Sequence, residues 1–228
     1  MSRQENITRI KAVYDALEDL APTCVFVGGA TVDLYSERPA SEVRPTEDVD
    51  VLIELMNYHG YAHIEERLRQ KGFVNDIESG VICRYRLHGI IVDIMPTDSR
   101  VLGFSNQWYT EGYQNAIDFQ LDDSHMIKIL RPDYFMASKV EAFRDRGKGD
   151  GRFSTDFEDI VYVLNARPSI YSEMKQAPEQ LRVFLRDHFN ELLAHPYLEE
   201  WISAHLEFAE QRKISTIIGG LQELVHGE

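Results

Sequence analysis

The sequence predicts an α+β fold: a mixed or antiparallel sheet flanked by helices, followed by a helical C-terminal lobe. Three observations carry this. Strand and helix signals mix up to about residue 125 and include hairpin turns. Beyond about residue 130 only helix signals remain. Over 228 residues, 43% hydrophobic and 27% charged is the composition of a folded chain, with room for one compact domain or two small lobes sharing a core. The expected division is a core over 1–125 and a helical lobe over 126–228.

Asn6 to Leu20 reads as an amphipathic helix, with Ile7, Ile10, Val13, Tyr14 and Leu17 at helical spacing. Cys24-Val25-Phe26-Val27 is a short apolar strand ending at Gly28-Gly29, and Ala30 to Tyr35 starts a helix. Ser36 to Glu47, with two prolines and several charges, is a loop. Asp48 to Leu55 is a strand, and Ala62 to Lys71 a helix closed by Gly72. Val81 to Leu87 and Ile90 to Met95 form a hairpin about His88-Gly89. Ala116 to Leu121 and Met126 to Leu130 form another about Asp122-Asp123-Ser124. Pro132 opens a helix that runs to Arg146. Gly147 to Arg152 is a charged loop. Helices follow over Thr155–Asn165, Glu179–Leu193, Leu198–Gln211 and Ile214–Val225.

The charge is acidic, −14 overall, which excludes indiscriminate binding to a nucleic-acid backbone. It is unevenly spread. Lys128 to Arg152 carries seven bases and four acids, a net +3, and leaves −17 for the rest. That segment is either a polyanion-facing surface or an ordinary solvated helix face. No apolar run reaches the roughly 18 residues that span a bilayer, so no membrane partner is expected. The polar start, Met1-Ser2-Arg3-Gln4-Glu5-Asn6, lacks the apolar centre of a signal peptide, and a cytoplasmic location is expected. Cys24 and Cys83, both in apolar segments, read as reduced core thiols.

The chemistry begins at Asp48-Val49-Asp50. Residues two apart on a strand share a face, so both carboxylates project together while Val49 and Val51 enter the core. Like charges this close need a cation, and a hard divalent metal with oxygen ligands is the usual one. The alternative is an exposed polar strand face. Asp93 shifts the balance, because it interrupts the otherwise apolar run Ile90 to Met95. A lone carboxylate in a buried strand is costly unless it has a partner or lines a cavity. Beside the Asp48/Asp50 strand it would complete three carboxylates, enough for two Mg²⁺. Gly28-Gly29, directly after a strand, lets backbone N–H groups approach a phosphate, or is simply a tight turn. Trp108, Tyr109 and Tyr113 are either core aromatics or a base-stacking platform.

Taken together, Gly28-Gly29, the run Arg44-Pro45-Thr46-Glu47-Asp48-Val49-Asp50 and Asp93 resemble the DNA polymerase β-like nucleotidyltransferase superfamily. The pattern is most similar to its AbiEii/AbiGii-type branch, the nucleotidyltransferase-like toxins of toxin–antitoxin systems. Lys139 in Ser138-Lys139-Val140-Glu141-Ala142-Phe143-Arg144 looks like that branch's K-x-x-A-x-x-x-R helix, which ends here at Arg146. Asp156 and Asp159 look like its D-x-x-D helix. The resemblance spans roughly residues 25 to 165. It departs from the usual pattern in a longer loop before the acidic pair, and in Gly-Gly where Gly-Ser is common.

The resemblance implies a nucleotidyltransferase-type sheet and transfer of an NMP from an NTP to a hydroxyl acceptor. Asp48, Asp50 and Asp93 would bind two Mg²⁺, with Mn²⁺ as a substitute, and Asp93 would help deprotonate the acceptor. Gly28 and Gly29 would cradle the triphosphate, beside Arg44 and Thr46. Thr31 or Thr46 would supply the missing serine hydroxyl. Lys139 would neutralise the β/γ-phosphates, and Asp156 and Asp159 would orient it or Arg144. A tRNA 3′ end is the implied acceptor, and a cognate antitoxin protein the implied partner. Two other readings stay open: a small-molecule nucleotidyltransferase of the antibiotic-modifying kind, and a non-catalytic regulatory module that keeps the fold.

Overall fold

A computed structural model describes residues 2–38, 43–55, 58–103 and 105–227. The helices are α1 (Ser2–Leu17), α2 (Tyr58–Gln70), α3 (Ser99–Leu102), α4 (Tyr109–Gln114), α5 (Pro132–Arg146), α6 (Thr155–Ala166), α7 (Ile170–Lys175), α8 (Glu179–Leu193), α9 (Leu198–Ala204) and α10 (Ile214–His226). The strands are β1 (Cys24–Val27), β2 (Asp48–Ile53), β3 (Val74–Asn75), β4 (Arg84–Leu87), β5 (Ile90–Pro96), β6 (Ile117–Gln120) and β7 (Met126–Ile129). The expected α+β class is observed. The chain divides into two compact units, Met1–Thr31 with Glu42–Arg131, and Val32–Ser41 with Pro132–Glu228.

The first unit is built on one sheet in the order β3-β4-β5-β2-β1-β7-β6. It is mixed: β2 runs parallel to β5 and β1 parallel to β7, while the other neighbours are antiparallel. The β4–β5 hairpin closes as expected. His88 and Gly89 both take positive φ, +48° and +89°, the signature of a two-residue turn whose twist matches its strands. That turn fixes the register, Leu87 to Ile90 and onward to Arg84 opposite Asp93. Val25, Phe26, Val51, Val92 and Ile94 are buried in the central strands. Ile10, Val13 and Leu17 of α1, and Tyr61, Ile64 and Leu68 of α2, are buried at helical spacing. Each fully buried large side chain contributes about 1.5–3 kcal/mol.

The second unit is helical. Helix α5 is its centre, packed against α6, α7 and α8 and buried on nearly every side from Pro132 to Val140. Phe143, Phe157 and Trp201 meet edge to face or tilted. The short stretch before the acidic pair also belongs here: Glu37 N–H donates to Ala166 O (3.1 Å), and Tyr162 Oη to Asp33 Oδ1 (2.8 Å).

Several local expectations shift. The first α-helix stops at Leu17 and continues as a 3-10 turn over Glu18–Thr23, where Pro22 lacks the N–H an α-helix needs. Gly29–Tyr35 is a 3-10 helix rather than the start of an α-helix. The helix expected over 198–211 ends at Ala204 and resumes as a 3-10 turn from Phe208. The Gln211 amide bridges the break by donating to the carbonyls of Ser203 (3.0 Å) and Leu206 (2.8 Å). The loop expected over 36–47 falls partly on 39–42, outside the described residues. Cys24 and Cys83 are free and buried, as expected.

Candidate functional site

Three adjacent strands of the first unit build the site. Asp50 on β2 is in register with Asp93 on β5, and Asp93 is in register with Arg84 on β4. Three charged side chains thus form a row across one face of the sheet, with Asp48 two residues back along β2. Asp48, Asp50 and Asp93 each offer an oxygen, and these oxygens lie within 4.8 Å of one another. Asp93 is 8% exposed, whereas Asp48 and Asp50 are half-buried. The donors are all hard oxygens, clustered and anionic, which suits Mg²⁺ or Mn²⁺ better than a soft metal.

Arg84 is a site residue that the motif reading left out. Its Nε donates to Asp93 Oδ1 (2.8 Å) and its Nη2 to Asp93 Oδ2 (2.7 Å), and Nη2 lies 3.8 Å from Asp48 Oδ2. This two-pronged bond raises the guanidinium pKa above its ordinary value despite desolvation, helped by the charges of Asp93, Asp48 and Asp50. The signal was in the sequence. A two-residue turn at His88-Gly89 pairs 87 with 90, and therefore 84 with 93. Beneath the row, burial pushes the Cys83 thiol up to about 11, with Asp93 adding to the shift.

The glycine turn meets the acids directly. Gly28 has φ +73°, and a Cβ placed on it would overlap Asp50 Oδ2 and lie 2.8 Å from Asp50 Cγ. Asp50 therefore packs over a backbone position open only to glycine. A Cβ on Gly29 would lie 2.8 Å from Thr46 Cγ2 and 2.9 Å from Arg44 Nη2. Arg44 and Thr46 thus flank the turn. The structure brings Gly28, Gly29, Arg44 and Thr46 together around the acidic pair.

The two threonines are engaged by the backbone. Thr31 is buried, and its hydroxyl donates to Gly28 O (2.9 Å). The Thr46 hydroxyl lies 3.1 Å from Asp48 O and 3.2 Å from Asn6 Oδ1, which also accepts from Thr46 N–H (3.1 Å). Thr31 thus braces the glycine turn, and Thr46 the loop that leads into Asp48. Trp108 is buried, and the Tyr113 hydroxyl donates to Thr23 O (2.7 Å), so both serve the packing of the first unit.

In the second unit, Lys139 is 6% exposed, with Nζ 2.6 Å from Asp159 Oδ2 and 3.3 Å from Asp156 Oδ1. Asp156 also accepts from Arg146 Nε (2.6 Å) and Nη2 (2.8 Å). Burial works to raise the Asp156 carboxyl, but the Arg146 hydrogen bonds and the charges of Lys139 and Arg146 outweigh it and hold its pKa below the ordinary value. Asp156 and Asp159 do converge on Lys139, while Arg144 instead lies over the Phe184 ring.

No family model matches the chain, and no curated protein is detectably similar. Among solved structures it is similar to an antigenic nucleotidyltransferase-like protein from Paracoccidioides brasiliensis, at TM-score 0.52 and 20% identity, over 92% of this chain and 97% of the other. The chain therefore has a nucleotidyltransferase-like fold. No described helix is long and apolar enough to cross a membrane.

Proposed function

We propose that this chain is a Mg²⁺-dependent nucleotidyltransferase, which transfers an NMP from an NTP to a hydroxyl acceptor and releases pyrophosphate. The single observation that carries the proposal is the convergence of Asp48, Asp50 and Asp93 beside the Gly28-Gly29 turn, in a chain with this fold. Asp48 and Asp50 would hold both ions and Asp93 one of them. Bound there, Mg²⁺ would polarise the phosphates and stabilise their developing charge. The chain's own residues supply the rest. Gly28 leaves space for the Asp50 carboxylate, and Gly29, with no side chain, lets a triphosphate approach the backbone. Arg44, beside Gly29, contributes a cation for phosphate oxygens. A carboxylate oxygen of Asp93 accepts the acceptor's proton. The acceptor oxygen bonds the α-phosphorus as the bond to the pyrophosphate oxygen breaks. Lys139, with Asp156 and Asp159, completes the proposal as the cation nearest in motif to the family's β/γ-phosphate lysine.

A toxin role, with a tRNA 3′ end as acceptor and an antitoxin partner, rests on the resemblance and on the net +3 segment from Lys128 to Arg152. At least three of that segment's cations are already held by carboxylates: Lys139 by Asp156 and Asp159, Arg146 by Asp156, and Arg152 by Asp150 and Glu200 (3.0 Å). That favours, as a second reading, a small hydroxyl compound as acceptor. The test is incubation with each α-labelled NTP and Mg²⁺, with total RNA in one arm and a panel of aminoglycosides and polyols in the other. Label should pass to one arm and be lost in Asp50→Asn. Label transfer that survives Asp50→Asn would refute the proposed site.

A further inference from the structure

We infer that Arg84 guards the metal site: in the nucleotide-free protein its guanidinium holds the position between Asp93 and Asp48, and the ion that uses Asp93 enters only by displacing it. The inference rests on the metal-dependent reading above. The observation is the placement of Nη2, 2.7 Å from Asp93 Oδ2 and 3.8 Å from Asp48 Oδ2. A cation joining these two carboxylates must sit in that same space. Both Asp93 oxygens already accept from this guanidinium, since Nε also donates to Oδ1 at 2.8 Å. A charge-assisted fork of this kind is among the stronger side-chain hydrogen bonds. A divalent ion arriving beside it meets both an occupied carboxylate and a like charge a few ångströms away.

Arg84 also gives these carboxylates, whose oxygens lie within 4.8 Å of one another, a counter-charge from the chain itself. It also makes the two metal positions unequal. An ion held by Asp48 and Asp50 alone leaves the Arg84 fork intact, whereas an ion joining Asp93 to Asp48 takes the space of Nη2 and ends its bond to Asp93 Oδ2. The negative charge of an NTP triphosphate gives the displaced guanidinium somewhere to go. Occupation of the Asp93 position is thereby coupled to nucleotide, which keeps the site from being fully loaded without substrate. Arg84 is a positioning residue that acts through Asp93.

The experiment is Mn²⁺ binding to nucleotide-free protein, followed by electron paramagnetic resonance, for wild type, Arg84→Met and Arg84→Lys. The expected result is measurable binding in wild type and affinity roughly tenfold or more tighter in Arg84→Met, with a second ion gained. Arg84→Lys, which keeps the charge but loses the fork, should fall between. Wild type that binds Mn²⁺ with Arg84→Met unchanged or weaker would overturn the guard while leaving the metal-dependent reading in place. No binding by any of the three would overturn both. A second measurement needs no variant that might unfold. In ¹⁵N spectra of wild type, the Arg84 Nε–H should be protected from exchange without metal and lose that protection on Mg²⁺ and NTP addition. Protection retained at saturation would also overturn the guard.

Discussion

Gly28→Ala perturbs the site through one added methyl group. At φ +73° an L-residue with a Cβ costs about 1–2 kcal/mol. The larger effect is local. The new Cβ would lie 2.8 Å from Asp50 Cγ and overlap its Oδ2, where ordinary van der Waals contact begins near 3.4 Å. The Cβ would lie 1.9 Å from Oδ2, so the Asp50 carboxylate must move by roughly 1.5 Å, beyond the ~1 Å misplacement that costs about a hundredfold in a catalytic site. The assay is calorimetric Mn²⁺ titration with a thermal melt on the same sample. Metal affinity should fall at least about tenfold, with only a modest fall in Tm. Gly29→Ala is the matched control, since its Cβ meets Thr46 and Arg44 and not the triad. It should keep metal affinity and lose NTP affinity. Wild-type Mn²⁺ affinity in Gly28→Ala would refute the packing of Asp50 over the glycine as a determinant of the site.

Other expectations follow from the same structure. Asp93→Asn removes the charged partner of a buried fork and should destabilise metal-free protein by about 1–3 kcal/mol, whereas the half-exposed Asp48→Asn should change its melt little. Lys139→Met removes the cation 2.6 Å from buried Asp159 and should cost about 3–5 kcal/mol; an NTP affinity unchanged in the folded variant would assign Lys139 to structure alone. His188 is buried against Phe143 and Phe189, and neither ring nitrogen has a hydrogen-bond partner among the described residues. Burial, then the charge of Arg144, pushes its pKa down to about 4 from 6.5. Its unfolded form binds the proton first, so stability should be full above pH 6.5 and fall by roughly 3 kcal/mol toward pH 4. Urea melts of His188→Leu should lack that loss and be at least as stable as wild type at pH 7.

Much of this site was legible because buried strands announce themselves. The apolar runs Cys24–Val27 and Ile90–Met95 left few other placements, and a single aspartate inside the second marked itself by its cost. Alternation along Asp48–Val51 gave the shared face of the acidic pair. Strand partners were harder. That β2 lies parallel to β5, and β1 to β7, depends on contacts far apart in sequence that local pattern does not encode. Elements of two to six residues, such as β3, α3, α4 and α7, carry too few residues for a period to show. Arg84 was missed for a different reason. It sits in the alternating run Cys83-Arg84-Tyr85-Arg86-Leu87, where an arginine reads as an ordinary solvent-facing position until the hairpin register is counted out. The burial of Lys139 was not legible, because it comes from helices packed around α5 and not from a local pattern. The two carboxylates that hold it lie on the next helix, α6.

The most direct measurement is a crystal of the protein with Mn²⁺ and a non-hydrolysable NTP, read by anomalous scattering. Two Mn²⁺ peaks roughly 3.5–4 Å apart are expected, both touching Asp48 and Asp50 and one touching Asp93, with the triphosphate against Gly28-Gly29. Mn²⁺ bound elsewhere, or nucleotide bound away from the glycine turn, would contradict the assignment of this site to nucleotidyl transfer.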